Sequence, residues 1–330
     1  MSGARRRTSG IVLYCAIAFA VCWAACLPLW LGPGLSDPGL VALCGGIAMV
    51  TPALTAIAVV RVVERRPWRV RAMTDPADRG GAAGTPATVW RSLGLRLGGG
   101  AKRVVAALMV GLLSPVVLLF ASLVLAAAVG TYDLDPTLRQ VVADLGMPTD
   151  ASGADAWAAF SARLATAMLL GATITTILAL GEEIGWRGYL LPRMHERWGL
   201  PVAIVGGGII WGLWHAPLIL LGYNYPDAAP WVGQLAMIAA CTVVGGFLYL
   251  LTVGLRSVWP AALAHGVNNG VSGFLVASLL VPGSQVDTVN GSPLGWPGWI
   301  VYGVVVIVGF SLLRLRRSRF TPGFMPADKG

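Results

Sequence analysis

Charged side chains are scarce in this chain. They make up 12% of its 330 residues, whereas hydrophobic residues make up 56%, and the mean hydropathy is +0.72. Soluble globular domains carry about 25% charged residues. The chain therefore has too little charge to cover a water-facing surface, which excludes an ordinary soluble domain and indicates one membrane domain.

Metal-binding and disulfide patterns are also lacking. The five cysteines all lie in apolar segments without the paired spacing of a disulfide framework or a metal site. They are predicted to be small core residues. The chain has three histidines and no His-Glu-x-x-His motif. We therefore predict no cofactor, although Glu and His are legitimate zinc ligands and leave a divalent metal such as zinc open.

Long apolar runs, by contrast, are abundant. A helix that crosses a bilayer needs about 20 mainly apolar residues. Eight stretches meet this requirement and predict an all-α, polytopic transmembrane helical bundle of about eight spans: 10–31, 39–60, 104–129, 160–184, 200–221, 231–253, 258–281 and 297–313.

The basic residues predict the orientation. Cytoplasmic connections attract Lys and Arg. With eight spans, all but two of the 24 basic residues fall on one side, and only Arg139 and Arg163 fall on the other. Both termini are therefore predicted to be cytoplasmic in a multi-pass protein of the cell membrane. The net charge of +9 borders apolar spans, so it predicts contact with lipid headgroups rather than with nucleic acid.

Three segments are predicted along the chain. Residues 1–155 hold the N-terminal membrane helices, with an Arg-, Gly- and Pro-rich stretch at 61–103 that is typical of a flexible cytoplasmic linker. Residues 156–285 form a helical core that holds the polar motifs described next. Residues 286–330 form the final span and a basic cytoplasmic tail.

Ionisable side chains within membrane spans are costly, and they mark candidate functional sites. Glu182 and Glu183 are adjacent, so on a helix they point about 100° apart. Glu183 and Arg187 are four residues apart, in the order that favours an ion pair. This spacing predicts that Arg187 holds Glu183 while Glu182 faces a cavity as a general base. The alternative is a helix end at which both glutamates are solvated.

Two further motifs carry polar side chains. His215 follows Trp211 by four residues, and Asn269 follows His265 by four, so that each pair shares one helix face. An imidazole and an amide on one face form a plausible oxyanion hole. The alternatives are a satisfied core histidine at 215 and a polar clamp between helices at 265 and 269.

His215 and Glu182 are predicted to lie at different depths in the membrane. Counted at about 1.5 Å per residue, His215 lies roughly 22 Å from the start of the predicted fifth span, whereas Glu182 lies near the cytoplasmic end of the fourth. The sequence alone does not bring the two residues to the same depth.

The order Glu182-Glu183-x-x-x-Arg187, Trp211-x-x-x-His215 and His265-x-x-x-Asn269 resembles the CPBP family of intramembrane proteases, which includes the CAAX prenyl endopeptidases. The resemblance covers about residues 160–281. It implies that Glu182 activates water with help from His215, that Glu183 and Arg187 order the site, and that His265 and Asn269 stabilise the oxyanion. The family usually has Phe where this chain has Trp211, a change expected to affect the fit of the substrate rather than the chemistry.

We therefore expect a glutamic intramembrane endopeptidase that hydrolyses a peptide bond near the cytoplasmic leaflet, while a metalloprotease stays open. The expected partners are the lipid bilayer and a membrane-associated peptide or protein, which the resemblance allows to be lipidated. The alternative is a non-catalytic membrane immunity or partner-binding protein whose polar residues clamp helices.

Overall fold

The computed structural model describes residues 3–68, 88–96, 100–148 and 152–317. These residues form helices and connecting loops. The helices are α1 (Gly3–Leu31), α2 (Pro38–Val62), α3 (Val89–Ser92), α4 (Ala101–Ala128), α5 (Arg139–Asp144), α6 (Gly153–Leu170), α7 (Thr176–Glu183), α8 (Leu191–Trp214), α9 (Ala216–Ile219), α10 (Pro230–Leu255), α11 (Trp259–Ser278) and α12 (Trp296–Arg317).

The predicted all-α polytopic bundle is confirmed. Six helical stretches of the described chain are long and apolar enough to cross a membrane, and one of them, Gly153–Trp214, contains the predicted fourth span and most of the fifth. The predicted seventh span corresponds to α11, whose His-Gly-Val-Asn-Asn segment lowers its hydropathy. Large apolar side chains lie exposed along the outer helices, as expected for lipid contact. The number of crossings and the side of the termini stay predictions.

The fourth and fifth predicted spans form a long helical hairpin. Helical backbone continues from α6 through α7 to α8, and wide π-helical turns occur at Gly171–Thr175 and Ile184–Leu190. The chain reverses at Gly199, which has φ 83° and ψ 170°, a conformation available to glycine. Across the reversal, a side chain added at Gly207 would meet Leu191.

Small residues let the central helices approach closely. A Cβ atom added to Gly266 of α11 would lie 2.6 Å from the backbone oxygen of Gly171, and one added to Gly212 of α8 would lie 2.6 Å from the Cα of Ile238 in α10. Membrane helices associate through such close contacts because lipid provides no hydrophobic driving force between them. Glycines at these positions therefore position the polar motifs.

Within the predicted linker, residues 88–96 include a short helix that packs against the bundle. Thr88 caps α3, and the side chains of Val89 and Leu93 are fully buried. The backbone oxygen of Gly94 accepts a hydrogen bond of 3.0 Å from the amide of Val258. Buried apolar side chains thus hold this part of the linker against the bundle. Residues 69–87 and 97–99 of the linker, and residues 318–330 of the predicted tail, lie outside the described part of the chain.

At the opposite end of the bundle, two loops pair with each other. Leu134 and Leu280 form an antiparallel bridge, and the amide of Asp135 donates to the carbonyl of Leu279 at 2.7 Å. The side chain of Asp135 is buried. It accepts hydrogen bonds from the amides of Thr137 and Arg139, at 3.0 and 3.1 Å, and from both of their side chains. Burial raises the pKa of Asp135, but these hydrogen bonds outweigh it and lower the pKa below its usual range.

We predict that Asp135→Asn lowers the thermal unfolding midpoint in detergent near neutral pH, by the equivalent of about 1–3 kcal/mol. The folded-state pKa is lowered, so the ionised carboxylate stabilises the fold above the unfolded pKa, and this stabilisation is lost as the pH falls through the folded value. The difference between wild type and variant should therefore shrink below about pH 4. Asp133→Asn is a matched control, and an equal loss there would contradict the assignment.

Candidate active site

The three polar motifs meet at a cavity of about 650 Å³ inside the bundle. Glu182, Trp211, His215, His265 and Asn269 all line it, and they come from α7, α8, α11 and the residue that follows α8. The hairpin explains why Glu182 and His215 are level. Each lies 16 or 17 residues, or about 25 Å of helix, from the reversal at Gly199. The difficulty seen in the sequence disappears because the helix continues well beyond Glu182.

The Glu182 carboxylate is held by two indoles. Its Oε2 accepts a hydrogen bond of 2.7 Å from Nε1 of Trp211 and a longer one of 3.4 Å from Nε1 of Trp186, one turn along its own helix. Only 2% of Glu182 is exposed, and that part faces the cavity. Both donors bind the same oxygen, so Oε1 is the oxygen left for a ligand in the cavity.

Glu183 is the centre of a buried ion cluster. Its Oε1 accepts from Nη1 of Arg187 at 3.0 Å and from Nδ1 of His265 at 2.9 Å. Glu183 and Arg187 are 0% and 1% exposed. The guanidinium also lies 4.0 Å from the ring centroid of Trp211, a favourable cation–π distance. Glu183 thus ties α7 to α11 and, through Arg187, to the indole that holds Glu182.

The hydrogen bonds of the two histidines define their proton positions. Nδ1 of His215 lies 2.8 Å from the backbone oxygen of Trp211. A carbonyl can only accept, so Nδ1 carries the proton and Nε2 of the neutral ring is a proton acceptor. His265 likewise donates from Nδ1 to Glu183, so only its protonated ring also donates from Nε2.

Asn269 and Asn268 differ in their surroundings. Asn269 lies one turn beyond His265, lines the cavity and is exposed to it. Asn268 also lines the cavity, but its Oδ1 accepts a hydrogen bond of 2.9 Å from the hydroxyl of Tyr302 in α12. The amide of Asn269 is therefore the one available to a ligand.

The structure thus brings Glu182, His215, His265 and Asn269 to one cavity and places Glu183 and Arg187 behind it. The sequence missed the two indole donors. Trp186 was detectable, because it lies four residues after Glu182, but Trp211 lies on another helix and no local spacing connects the two. The Trp211 indole donates to Glu182. The presence of Trp instead of the family's usual Phe at this position therefore affects the candidate base as well as the space for the substrate.

The donor set bears on the metal question. Within the described residues, no group of three or more His, Cys, Asp or Glu side chains is arranged to hold a metal ion. His265 uses Nδ1 on Glu183, and His215 uses Nδ1 on a carbonyl. Only Nε2 of each ring and Oε1 of Glu182 are left to face the cavity, and we derive no step through a metal.

Part of the chain is similar to a known family. Residues 163–271 match the family of type II CAAX prenyl endopeptidases described as Rce1-like. This match includes all six predicted site residues. It confirms the resemblance to the CPBP family for this third of the chain.

One known protein is also similar to part of the chain. The chain is 32% identical over 87 residues to the CAAX prenyl protease 2 of Methanococcus maripaludis. The aligned stretch covers 25% of this chain and 28% of the relative. The similarity thus concerns a limited part of both proteins.

We predict that Arg187→Met lowers the unfolding midpoint in detergent by the equivalent of about 3–5 kcal/mol, because it leaves the fully buried Glu183 without its guanidinium. The double variant Arg187→Met with Glu183→Gln should recover part of the loss, since it removes both charges. Arg193→Met removes an arginine that is 11% exposed and paired with Glu64 near the reversal, and it serves as the control. A smaller loss from Arg187→Met than from Arg193→Met would contradict this account.

Proposed function

We propose that this protein is an intramembrane endopeptidase of the cell membrane that uses Glu182 to activate water. One observation carries the proposal. An acidic side chain inside an apolar bundle faces a cavity together with two histidines and an amide. Glu182 is kept in place by indole N–H groups rather than by a cation. The match to CAAX prenyl endopeptidases supports peptide hydrolysis as the reaction.

In the proposed reaction, a water in the cavity donates a proton to Glu182, and its oxygen attacks the carbonyl carbon of the scissile bond. Nε2 of His215 is the second proton acceptor that faces this space. The proton then passes to the leaving amine nitrogen as the C–N bond breaks. One water is consumed, and an acid and an amine are formed.

The tetrahedral intermediate needs donors for its negative oxygen. The side-chain amide of Asn269 provides one, and Nε2 of protonated His265 provides a second. The carboxylate of Glu183 accepts the hydrogen bond from Nδ1 of that ring, while Arg187 holds Glu183 in place through the buried ion pair. Glu183 and Arg187 therefore act as positioning residues, and His265 links them to the reacting atoms.

The proposed substrate is a membrane-associated peptide or protein, including lipidated ones. The cavity walls are largely apolar and contain small residues such as Ala48 and Gly273. Such walls accept an apolar chain more readily than a highly charged one.

The alternative, a non-catalytic immunity or partner-binding protein, predicts a different result. If the polar residues only clamp helices, each of their substitutions should change stability, and no cleavage would be measured. Glu182 separates the two proposals, because among the described residues it makes hydrogen bonds only with indoles, and it faces open space.

We predict that Glu182→Gln lowers peptide cleavage by at least about a hundredfold, since the amide does not accept the proton of water. The measurement is cleavage, by purified protein in detergent, of a panel containing prenylated tails and membrane-span peptides. The unfolding midpoint of Glu182→Gln should stay near that of wild type, whereas Glu183→Gln should lower both activity and stability.

Chelator decides the catalytic type in the same assay. Cleavage that survives chelation and is lost in Glu182→Gln supports a glutamic protease. If wild-type cleavage is lost on chelation and recovers when zinc is added, the protein is a metalloprotease instead. Absence of cleavage together with partner binding sensitive to Glu182→Gln would favour the binding protein.

Trp211→Phe should lower kcat by about ten- to a hundredfold with little change in KM, because it removes one hydrogen bond to a charged group and keeps an aromatic ring. Trp214→Phe is the matched control. Trp214 is equally buried, but its indole N–H has no hydrogen-bond partner among the described residues. If the two variants lose the same amount of kcat, the Trp211 indole does not position Glu182.

A further inference from the structure

The cavity extends from the site to one end of the bundle. Along α11, its wall runs from His265 to Ala277, about 18 Å of helix. Beyond α11, the lining continues onto the loops 220–229 and 279–295, through Tyr223, Asn224 and Thr288. Tyr223 and Ala277 are exposed, so the cavity opens at this end. We call it the open face.

Hydrogen bonds hold the rim of the open face. The carboxylate of Asp227 accepts from the amide of Thr288 at 2.9 Å and also from its hydroxyl. The hydroxyl of Tyr225 donates to the carbonyl of Leu294 at 2.9 Å. The two loops are therefore joined to each other, which makes the mouth a formed feature of the fold.

The other end of the bundle is closed beneath the site. Tyr189 and Leu190, which follow the glutamate motif, are fully buried. The ordered segment 88–96 packs over this end, where a Cβ atom added to Gly188 would collide with the backbone of Leu93. The indole of Trp259, at the start of α11, donates to the carbonyl of Leu95 at 3.1 Å. None of the cavity-lining residues belongs to the described segments 62–68, 88–96 or 255–259.

The distribution of charge indicates which side of the membrane each end faces. The closed end holds Arg61, Arg91, Arg193 and Arg256, whereas the loops of the open face hold Asp227 and Asp287 and no Lys or Arg. The loop 130–148, which pairs with them, holds one Arg and three Asp. Because basic residues stay in the cytoplasm, the open face lies on the non-cytoplasmic side.

We propose that the active site receives its substrate from the non-cytoplasmic side, and that its substrates are membrane-anchored polypeptides with an extended segment exposed there. This inference rests on the proposed endopeptidase function for the substrate, and on the cavity and the charge distribution for the side. It replaces the expectation of hydrolysis near the cytoplasmic leaflet. A wall of 18 Å accommodates about five or six residues of extended chain.

The side of access is measurable without any substrate. Ser272 lies on the cavity wall two turns beyond His265, and Ser272→Cys places a thiol there. Cys22, Cys26 and Cys241 line the same cavity, so each variant is made in a background in which these three are replaced by alanine, and that background provides the blank. Ala229→Cys, exposed at the open face, and Arg61→Cys, exposed at the closed end, provide the two reference positions. The probe is a charged, membrane-impermeant maleimide, applied to intact spheroplasts and to inverted vesicles.

We expect Ser272→Cys and Ala229→Cys to react in spheroplasts at least tenfold more than in inverted vesicles, and Arg61→Cys to show the opposite preference. Labelling of Ser272→Cys only in inverted vesicles, or in neither preparation, would overturn the proposal. Ala277→Cys, at the exposed end of the same wall, is the second variant in case Ser272→Cys does not fold.

Cleavage is tested separately with a single-span reporter that presents its scissile segment on either side of the membrane. Cleavage of the outward segment alone supports the proposed substrate class, and cleavage of the inward segment alone overturns it. Cleavage of neither counts against the proposed peptidase function, and the labelling result still decides the side of access.

Discussion

The arrangement of the site depends on one buried ion pair, that between Glu183 and Arg187. Two charges without access to water are tolerated only where each is paired and hydrogen-bonded. Here the carboxylate also binds His265 on α11, and the guanidinium stacks on Trp211 of α8. Three helices are thus fixed around one charge cluster, and Glu182, the next residue along the chain, is held at a defined height and direction. Glu183 makes the contacts with Arg187 and His265, so the carboxylate of Glu182 is left to face the cavity.

Much of this could be predicted from local spacing. The interval between Glu183 and Arg187 predicts their ion pair, and the interval between His265 and Asn269 predicts a common face, because both are one helical turn. The class of fold follows from the apolar runs and the scarcity of charge. What these signals share is that they depend on residues close together in the chain.

The features that local spacing could not provide depend on long-range contacts. The depth of His215 relative to Glu182 is set by the reversal at Gly199, and the end of an apolar run does not mark where that reversal occurs. The segment 88–96 lies in an Arg- and Gly-rich stretch, and only its contacts with α11 and the hairpin show that it is ordered. The hydrogen bond from Trp211 to Glu182 joins residues 29 positions apart.

The wide helical turns at Gly171–Thr175 and Ile184–Leu190 bracket the glutamate pair. Each such turn holds a residue more than a regular helix needs, so the backbone around the pair is longer than the distance it covers. Losing one residue from either turn would return it to regular helix and rotate everything on one side by about 100°. Glu182 would then face another helix or lipid instead of the cavity. The number of residues in these two turns therefore determines the direction in which the Glu182 carboxylate points.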